Sequence, residues 1–169
     1  MAYNQNEIDA LISCPKSLTE PPKRDLRLVG ADWRNDMKLQ SEGCPGEFAV
    51  FFRRSDDFPE NFSIGLKYDP KDGSGEITLL RCNGQHGVFN GAFDLQHPHW
   101  GYHIHRASEA AMNAGLKPEK YATLTTDYAS YEEAVPYFVK LINLDSAAMR
   151  KHFPDRTAQI ALLLESDGD

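Results

Sequence analysis

Residues 62–68 constrain this chain most. Phe62, Ile64, Leu66 and Tyr68 alternate with Ser63, Gly65 and Lys67, and a period of two is the signature of a strand with one face buried. Asp72-Gly73-Ser74-Gly75 reads as a turn, and residues 76–82 return as the partner strand. The apolar face of such a hairpin needs a covering layer, so the rest of the chain is read for what supplies it.

More strand patterns lie on both sides. Residues 26–29 and 33–39 suit strands, with Trp33, Met37 and Leu39 on one face of the second and Gly30 marking a bend between them. Phe48-Ala49-Val50-Phe51-Phe52 is apolar on both faces, as a central strand should be. Residues 97–105 alternate again, and residues 121–126 fit either an edge strand or an extended loop. Helical signals sit toward the ends. Asn4 and Glu7 have capping-box spacing ahead of the stripe Ile8, Leu11 and Ile12, and Pro15 should stop that helix. Thr19-Glu20-Pro21-Pro22 reads as a linker. Residues 107–114 favour a short helix closed by Gly115. Ser130 and Glu133 repeat the capping spacing before Tyr131, Val135, Phe138 and Ile142, with Pro136 expected to kink that helix or delay its start. Further helices are expected over 146–152, capped by Asp145, and over 157–164.

The fold class that follows is α+β: a mostly antiparallel sheet of five or six strands, with N-terminal and C-terminal helices packed on one face. At 169 residues the chain is expected to form a single domain. Its N-terminal helix and linker would span 1–22, its sheet-rich core 24–128 with the short helix near 107–114, and its C-terminal helices 130–165.

Charge and composition exclude some partners. Eighteen Lys and Arg against 25 Asp and Glu leave a formal net charge of −7, which weighs against a general binder of nucleic acid or anionic membrane; nucleic acid would need a local basic patch. The first six residues lack the charged and apolar regions of a secretory signal, and no apolar run reaches the length of a membrane span. Cys14, Cys44 and Cys82 are far apart in sequence and show no zinc spacing, so reduced thiols and a cytoplasmic location are expected.

Four of the six histidines fall within His97-Pro98-His99-Trp100-Gly101-Tyr102-His103-Ile104-His105, and His86 lies just upstream. Read as a strand, this stretch puts residues 97, 99, 101, 103 and 105 on one face, presenting imidazoles, while Pro98, Trp100, Tyr102 and Ile104 turn to the core. Imidazoles two residues apart can share one metal ion when a third ligand arrives from a neighbouring element. His103 and His105 are the best pair and His86 is the candidate third ligand. Glu109 is a candidate ligand or general base. A divalent ion such as zinc or manganese would suit the set. His97 and His99 read as ordinary loop residues. The competing explanation is a solvated face, or histidines bonded to backbone, since clustering only raises the odds of chemistry.

Arg53, Arg54, Arg81 and Arg106 lie at or near predicted strand ends. Converging on the histidine face they would form an anion pocket; pairing with surface acids is the favoured expectation. Asn83-Gly84 and Asn90-Gly91 are explained by turn chemistry. No nucleophile elbow, Walker loop or dinucleotide glycine motif occurs. His103-x-His105 with Glu109 is similar to the first metal motif of cupins, but no second motif follows, and residues 107–114 read as helix where a cupin needs strand.

An ordered series of residues carries a broader likeness. Leu79-Leu80-Arg81-Cys82-Asn83-Gly84, then His86-Gly87 and Asn90, then His103 to Ala110, are followed by Gly115, Glu119, Ala122, Thr125 and Tyr128. Together they resemble a group of small uncharacterised prokaryotic proteins that carry a domain of unknown function. Its members share a Leu-Arg-x-Asn-Gly strand end, a downstream His-x-His strand and an Ala-Ser/Thr-Glu start to the next helix. The likeness covers most of residues 48–143, and residues 4–16 resemble the family's opening helix. The resemblance implies no established activity. It does imply a setting near mobile or defence-related elements. In relatives the loop position matching Phe89 is often polar or a histidine, so this chain would lack a ligand there.

Two functions follow as expectations. The first is a cytosolic interaction protein that binds a protein partner, as a regulator or inhibitor in a mobile-element, defence or toxin–antitoxin setting; an exposed aromatic patch around Trp100 and Tyr102 would support it. The alternative is a metal-dependent phosphodiester hydrolase, a nuclease among them. In it His103 and His105 hold the metal or act as acid and base, Glu109 serves as ligand or base, and Arg81 or Arg106 steadies the anionic transition state.

Overall fold

The structure, a computed structural model, describes residues 3–23, 26–87, 91–145 and 147. Of the expected helix at 146–152 only Ala147 is described, its N–H donating to the expected cap Asp145 at 2.9 Å; the expected helix at 157–164 and the loop residues Phe89 and Asn90 lie outside the described residues. The chain is α+β, and its sheet has eight strands rather than five or six. They are β1 (Ser17–Glu20), β2 (Arg27–Val29), β3 (Asp32–Ser41), β4 (Cys44–Ser55), β5 (Phe62–Asp69), β6 (Ile77–Asn83), β7 (His103–Arg106) and β8 (Ala122–Leu124). Every ladder is antiparallel. The order is β1-β3-β4-β5-β6-β7-β8, with β2 also on β3, so the sheet is open and the closed barrel of a cupin is absent. One extra strand runs into the segment read as linker: Ser17, Leu18 and Glu20 pair with Gln40, Leu39 and Lys38. Residues 121–126 supply β8, the edge-strand option.

The helices are α1 (Gln5–Ser13), α2 (Ala92–Gln96), α3 (Glu109–Asn113) and α4 (Tyr131–Leu141). The capping box of α1 is present, with Asn4 accepting from Glu7 N and Glu7 accepting from Asn4 N. Ser108 and Ser130 cap α3 and α4 by the same kind of bond. Gly115, at φ +69°, follows α3 in the left-handed conformation that stops a helix. Pro136 lies inside α4, which runs through it.

Apolar stripes of α1 and α4 cover one face of the sheet. Ile8, Leu11 and Ile12 from α1, and Tyr131, Ala134, Val135 and Phe138 from α4, bury against Met37, Leu39, Phe48, Val50, Phe52, Phe62, Ile64 and Leu66. Each large side chain buried here contributes roughly 2 kcal/mol of hydrophobic stabilisation. The β5–β6 register slips between Leu66 and Lys67, and both Leu79 and Leu80 are buried. Lys16 ties the ends of α1 and α4 together. It bridges to Leu144, and its ammonium donates to the carbonyls of Ile12 and Cys14 at 2.8 Å and of Ile142 at 3.1 Å. Among the described residues no helix is long and apolar enough to cross a membrane.

Candidate metal centre

The other face of β5, β6 and β7 is polar. Register places Ser63 opposite Asn83 and Asn83 opposite His103; in the next row Gly65 faces Arg81 and Arg81 faces His105. Gly65 is required there. A Cβ on it would lie 2.2 Å from the Phe51 ring and 3.0 Å from Arg81 Cγ, so the arginine stem crosses the sheet through the space glycine leaves.

His103 and His105 do not face solvent as expected. They are 0% and 3% exposed, deeper than Ile104 between them. Two loops cover them. The strand begins at His103 rather than at His97, and the preceding segment folds back over it. Its His99 ring lies 5.0 Å from that of His103 and 5.2 Å from that of His105. His97 caps α2, stacks on Tyr121 at 4.6 Å and reaches Ala122 O with Nδ1. The second loop brings Glu119 O to His105.

Backbone carbonyls fix both buried tautomers. A carbonyl only accepts, so His103 Nδ1–H donates to Gly101 O at 2.7 Å and His105 Nδ1–H donates to Glu119 O at 3.0 Å. Nε2 is then the nitrogen with a lone pair on each ring, the arrangement that orients a metal-binding histidine. Asn83 reads the same tautomer. Its Oδ1 accepts from Ser63 Oγ at 2.8 Å, which turns Nδ2 toward His86 Nε2 at 3.2 Å and His103 Nε2 at 3.3 Å. Burial pushes His103 down to about 4, with the charges of His86, His99 and Arg81 adding to it. It pushes His105 down to about 3, with Arg81 the next cause. Burial also lowers His86. The buried pair is therefore neutral at physiological pH, the form that binds metal.

One nitrogen from each of His99, His103 and His105 lies within 4.8 Å of the others, a cluster that could hold a metal ion. Tetrahedral zinc at about 2.0–2.1 Å from each nitrogen would bring them to roughly 3.3 Å. Closing the gap takes movements on the order of 1 Å, and His103 would exchange its Asn83 bond for the metal. Three imidazoles leave a fourth position for water or substrate, as in catalytic zinc sites.

The other sequence candidates distribute unevenly. His86 lies beside the cluster, its ring 4.8 Å from His103 and its Nε2 held by Asn83. Glu109 is elsewhere: its carboxylate accepts from Gln5 N at 3.1 Å and its own N–H donates to the Gln5 side chain, which fastens α3 to α1. Arg106 pairs with Asp9 at 3.3 Å, Arg53 with Asp36 at 2.9 Å and Arg54 with Glu132 at 3.0 Å, so these three follow the surface-pairing expectation. Arg81 alone joins the histidines. Its buried Nε has no hydrogen-bond partner among the described residues. Burial lowers its pKa, partly offset by Glu119. Sequence reasoning passed over His99, and it assigned Asn83 to turn chemistry. Pro98 and Gly101 carried the missing signal for His99, because both are poor residues for a strand interior and mark the segment as a loop that can fold back. No family model, curated protein or solved structure matches the chain.

Proposed function

We propose that the chain is a metal-dependent hydrolase of phosphodiesters, with a divalent ion, zinc by the chemistry of its donors, held by His99, His103 and His105. The observation that carries this reading is the pair of carbonyl-fixed tautomers at His103 and His105, which leaves two buried Nε2 lone pairs beside a third imidazole. The metal would supply Lewis-acid polarisation and a bound water of lowered pKa. Arg81 supports an anionic substrate: a guanidinium with an unfilled donor beside a dication is repulsive unless an anion lies between them. Asn83 would hold His86 and the ligand set in place, and His86 is the nearest further imidazole for proton transfer. The net charge of −7 favours a small phosphodiester over a long polynucleotide.

The test is metal content of untagged protein together with hydrolysis of bis(p-nitrophenyl) phosphate. Stoichiometric zinc that disappears in a His103→Ala, His105→Ala double variant, with activity lost alongside, is the expected outcome. Metal-free protein that takes up no zinc or manganese on titration, or a double variant of unchanged activity, overturns the reading.

A protein partner is the second reading, favoured by the exposure of Phe93, Leu95, Trp100 and Leu124 around the loop that covers the histidines. Tyr102 is half-buried, with its ring packed against Phe62 and Tyr128.

A further inference from the structure

Away from the histidines, the fold brings two sequence-distant cysteines to one cavity. Cys14 caps the C-terminus of α1, and Cys44 opens β4 directly across from Ser41. Both line a cavity of about 490 Å³ between α1 and the β3–β4 hairpin, together with Ala10, Lys16 and Gln40. The two thiols and the Ser41 hydroxyl lie within interaction range of one another on the wall of this cavity, and Cys14 Sγ donates to Leu11 O at 3.4 Å. Both are half-buried and reachable, whereas Cys82 is fully buried.

Lys16 makes this pair unlike an ordinary cavity lining. It is 3% exposed, and its ammonium spends its donors on three neutral carbonyls, one of them that of Cys14. No carboxylate pairs with it among the described residues. Burial lowers the pKa of Lys16, and the charge of Cys14 is the largest effect opposing that; a buried cation without an acid partner favours an anion close by.

We propose that Cys14 and Cys44 form a reactive dithiol that takes a low-molecular-weight disulfide into this cavity and closes to an intramolecular disulfide. Cys14 is the attacking sulfur. Burial would raise its pKa, but the neighbouring Ser41 hydroxyl and Cys44 thiol and the charge of Lys16 outweigh that and hold it below the ordinary thiol value. Burial and the neighbouring Cys14 raise Cys44, which fits it for the second step. In the first step Cys14 S⁻ bonds to one sulfur of the small disulfide; that S–S bond breaks, and the leaving thiolate takes a proton. In the second, Cys44 loses its proton and its sulfur bonds to Cys14 Sγ, releasing the other half as a thiol. Two protein thiols are oxidised to one disulfide, and one small disulfide is reduced to two thiols.

Oxidised glutathione is the probe. Reduced full-length protein is incubated with it, quenched in acid, alkylated and mapped by mass spectrometry. The wild type is expected to end with a Cys14–Cys44 disulfide, with Cys82 still a thiol. Cys44→Ser should stop at a glutathione adduct on Cys14, and Cys14→Ser should react at least tenfold more slowly. Lys16→Met keeps the side-chain stem and should slow the Cys14 step by about twofold or more, because the thiolate fraction falls faster than its intrinsic nucleophilicity rises; if that variant does not fold, the relative rates of the two cysteine variants decide alone. Glutathione adducts on both cysteines of the wild type, disulfide-linked dimers, or an unmodified Cys14 in Cys44→Ser would overturn the proposal.

Discussion

The two faces of β5, β6 and β7 are buried by different means. On one, Phe62, Ile64, Leu66, Leu80 and Cys82 sink into a core shared with α1 and α4. On the other, Asn83, His103 and His105 are nearly as inaccessible, yet each is polar and each is tied to a named group: Ser63, Gly101 O, Glu119 O. Burial on the first face is non-directional and depends on volume. Burial on the second requires a partner for every polar atom, because an unpaired buried polar group costs on the order of 1–3 kcal/mol. A chain needing only stability would gain more from apolar residues at 103 and 105. The second face is therefore the one whose arrangement demands an explanation in chemistry.

The contrast breaks first under truncation of the apolar face. Phe62 is 2% exposed and sits among Tyr102, Tyr128 and Tyr131. Phe62→Ala should cost about 3–5 kcal/mol, read as a lower urea midpoint at unchanged slope. A loss below about 1 kcal/mol would mean that this face does not carry the fold.

Acid should attack the polar face next. His103 and His105 are lowered to about 4 and about 3, against 6.5 for an unfolded histidine. Below pH 6.5 the unfolded chain binds protons that the folded one refuses. Their stabilising contribution is thus whole above 6.5, is lost progressively as the pH drops from 6.5 toward 4 for His103 and toward 3 for His105, and changes no further below those values. In chelator-treated protein the loss by pH 5.5 should be on the order of 3 kcal/mol for the two histidines together, and a His103→Gln, His105→Gln variant should lose much of that slope. Equal pH dependence in the two proteins would show that the imidazoles are not held neutral by the fold.

These regions were unequally legible. The capping box of α1 and its stripe Ile8, Leu11 and Ile12 are local, since residues three and four apart meet on any helix, and they read directly from sequence. The β5–β6 hairpin reads the same way from its alternation and its turn. β1 did not, because Ser17–Glu20 is a mostly exposed edge segment with only Leu18 half-buried, and pairing with β3 alone makes it a strand. His99, and the meeting of Cys14 with Cys44, depend on how loops and hairpins fold back in three dimensions, which no spacing records. Alternation was carried too far at residues 97–102, where Pro98 and Gly101 interrupt the strand.

Gly65 tests how tightly the polar face is packed. Alanine there must displace the half-buried Phe51 ring as well as the Arg81 stem. Gly65→Ala should cost about 1–2 kcal/mol, and a Phe51→Ala background should relieve most of it. If the background changes nothing, the strain lies in the backbone or at Arg81 instead.

The smallest expected stability effect belongs to Arg81, and it separates the two faces most sharply. Its buried Nε has no partner among the described residues, and its charge disfavours protonation of His103 and His105. Arg81→Met keeps the stem over Gly65 while deleting both features, so stability should change by less than about 1 kcal/mol, in either direction. If the guanidinium is kept to hold an anion beside the metal, the same substitution should lower phosphodiester hydrolysis by at least about a hundredfold, roughly the 2.7 kcal/mol that one charge-stabilising donor contributes to a transition state. A variant that unfolds would make Arg81 structural after all. A variant that stays folded and fully active would leave the histidine cluster without its anion partner and remove the argument for an anionic substrate.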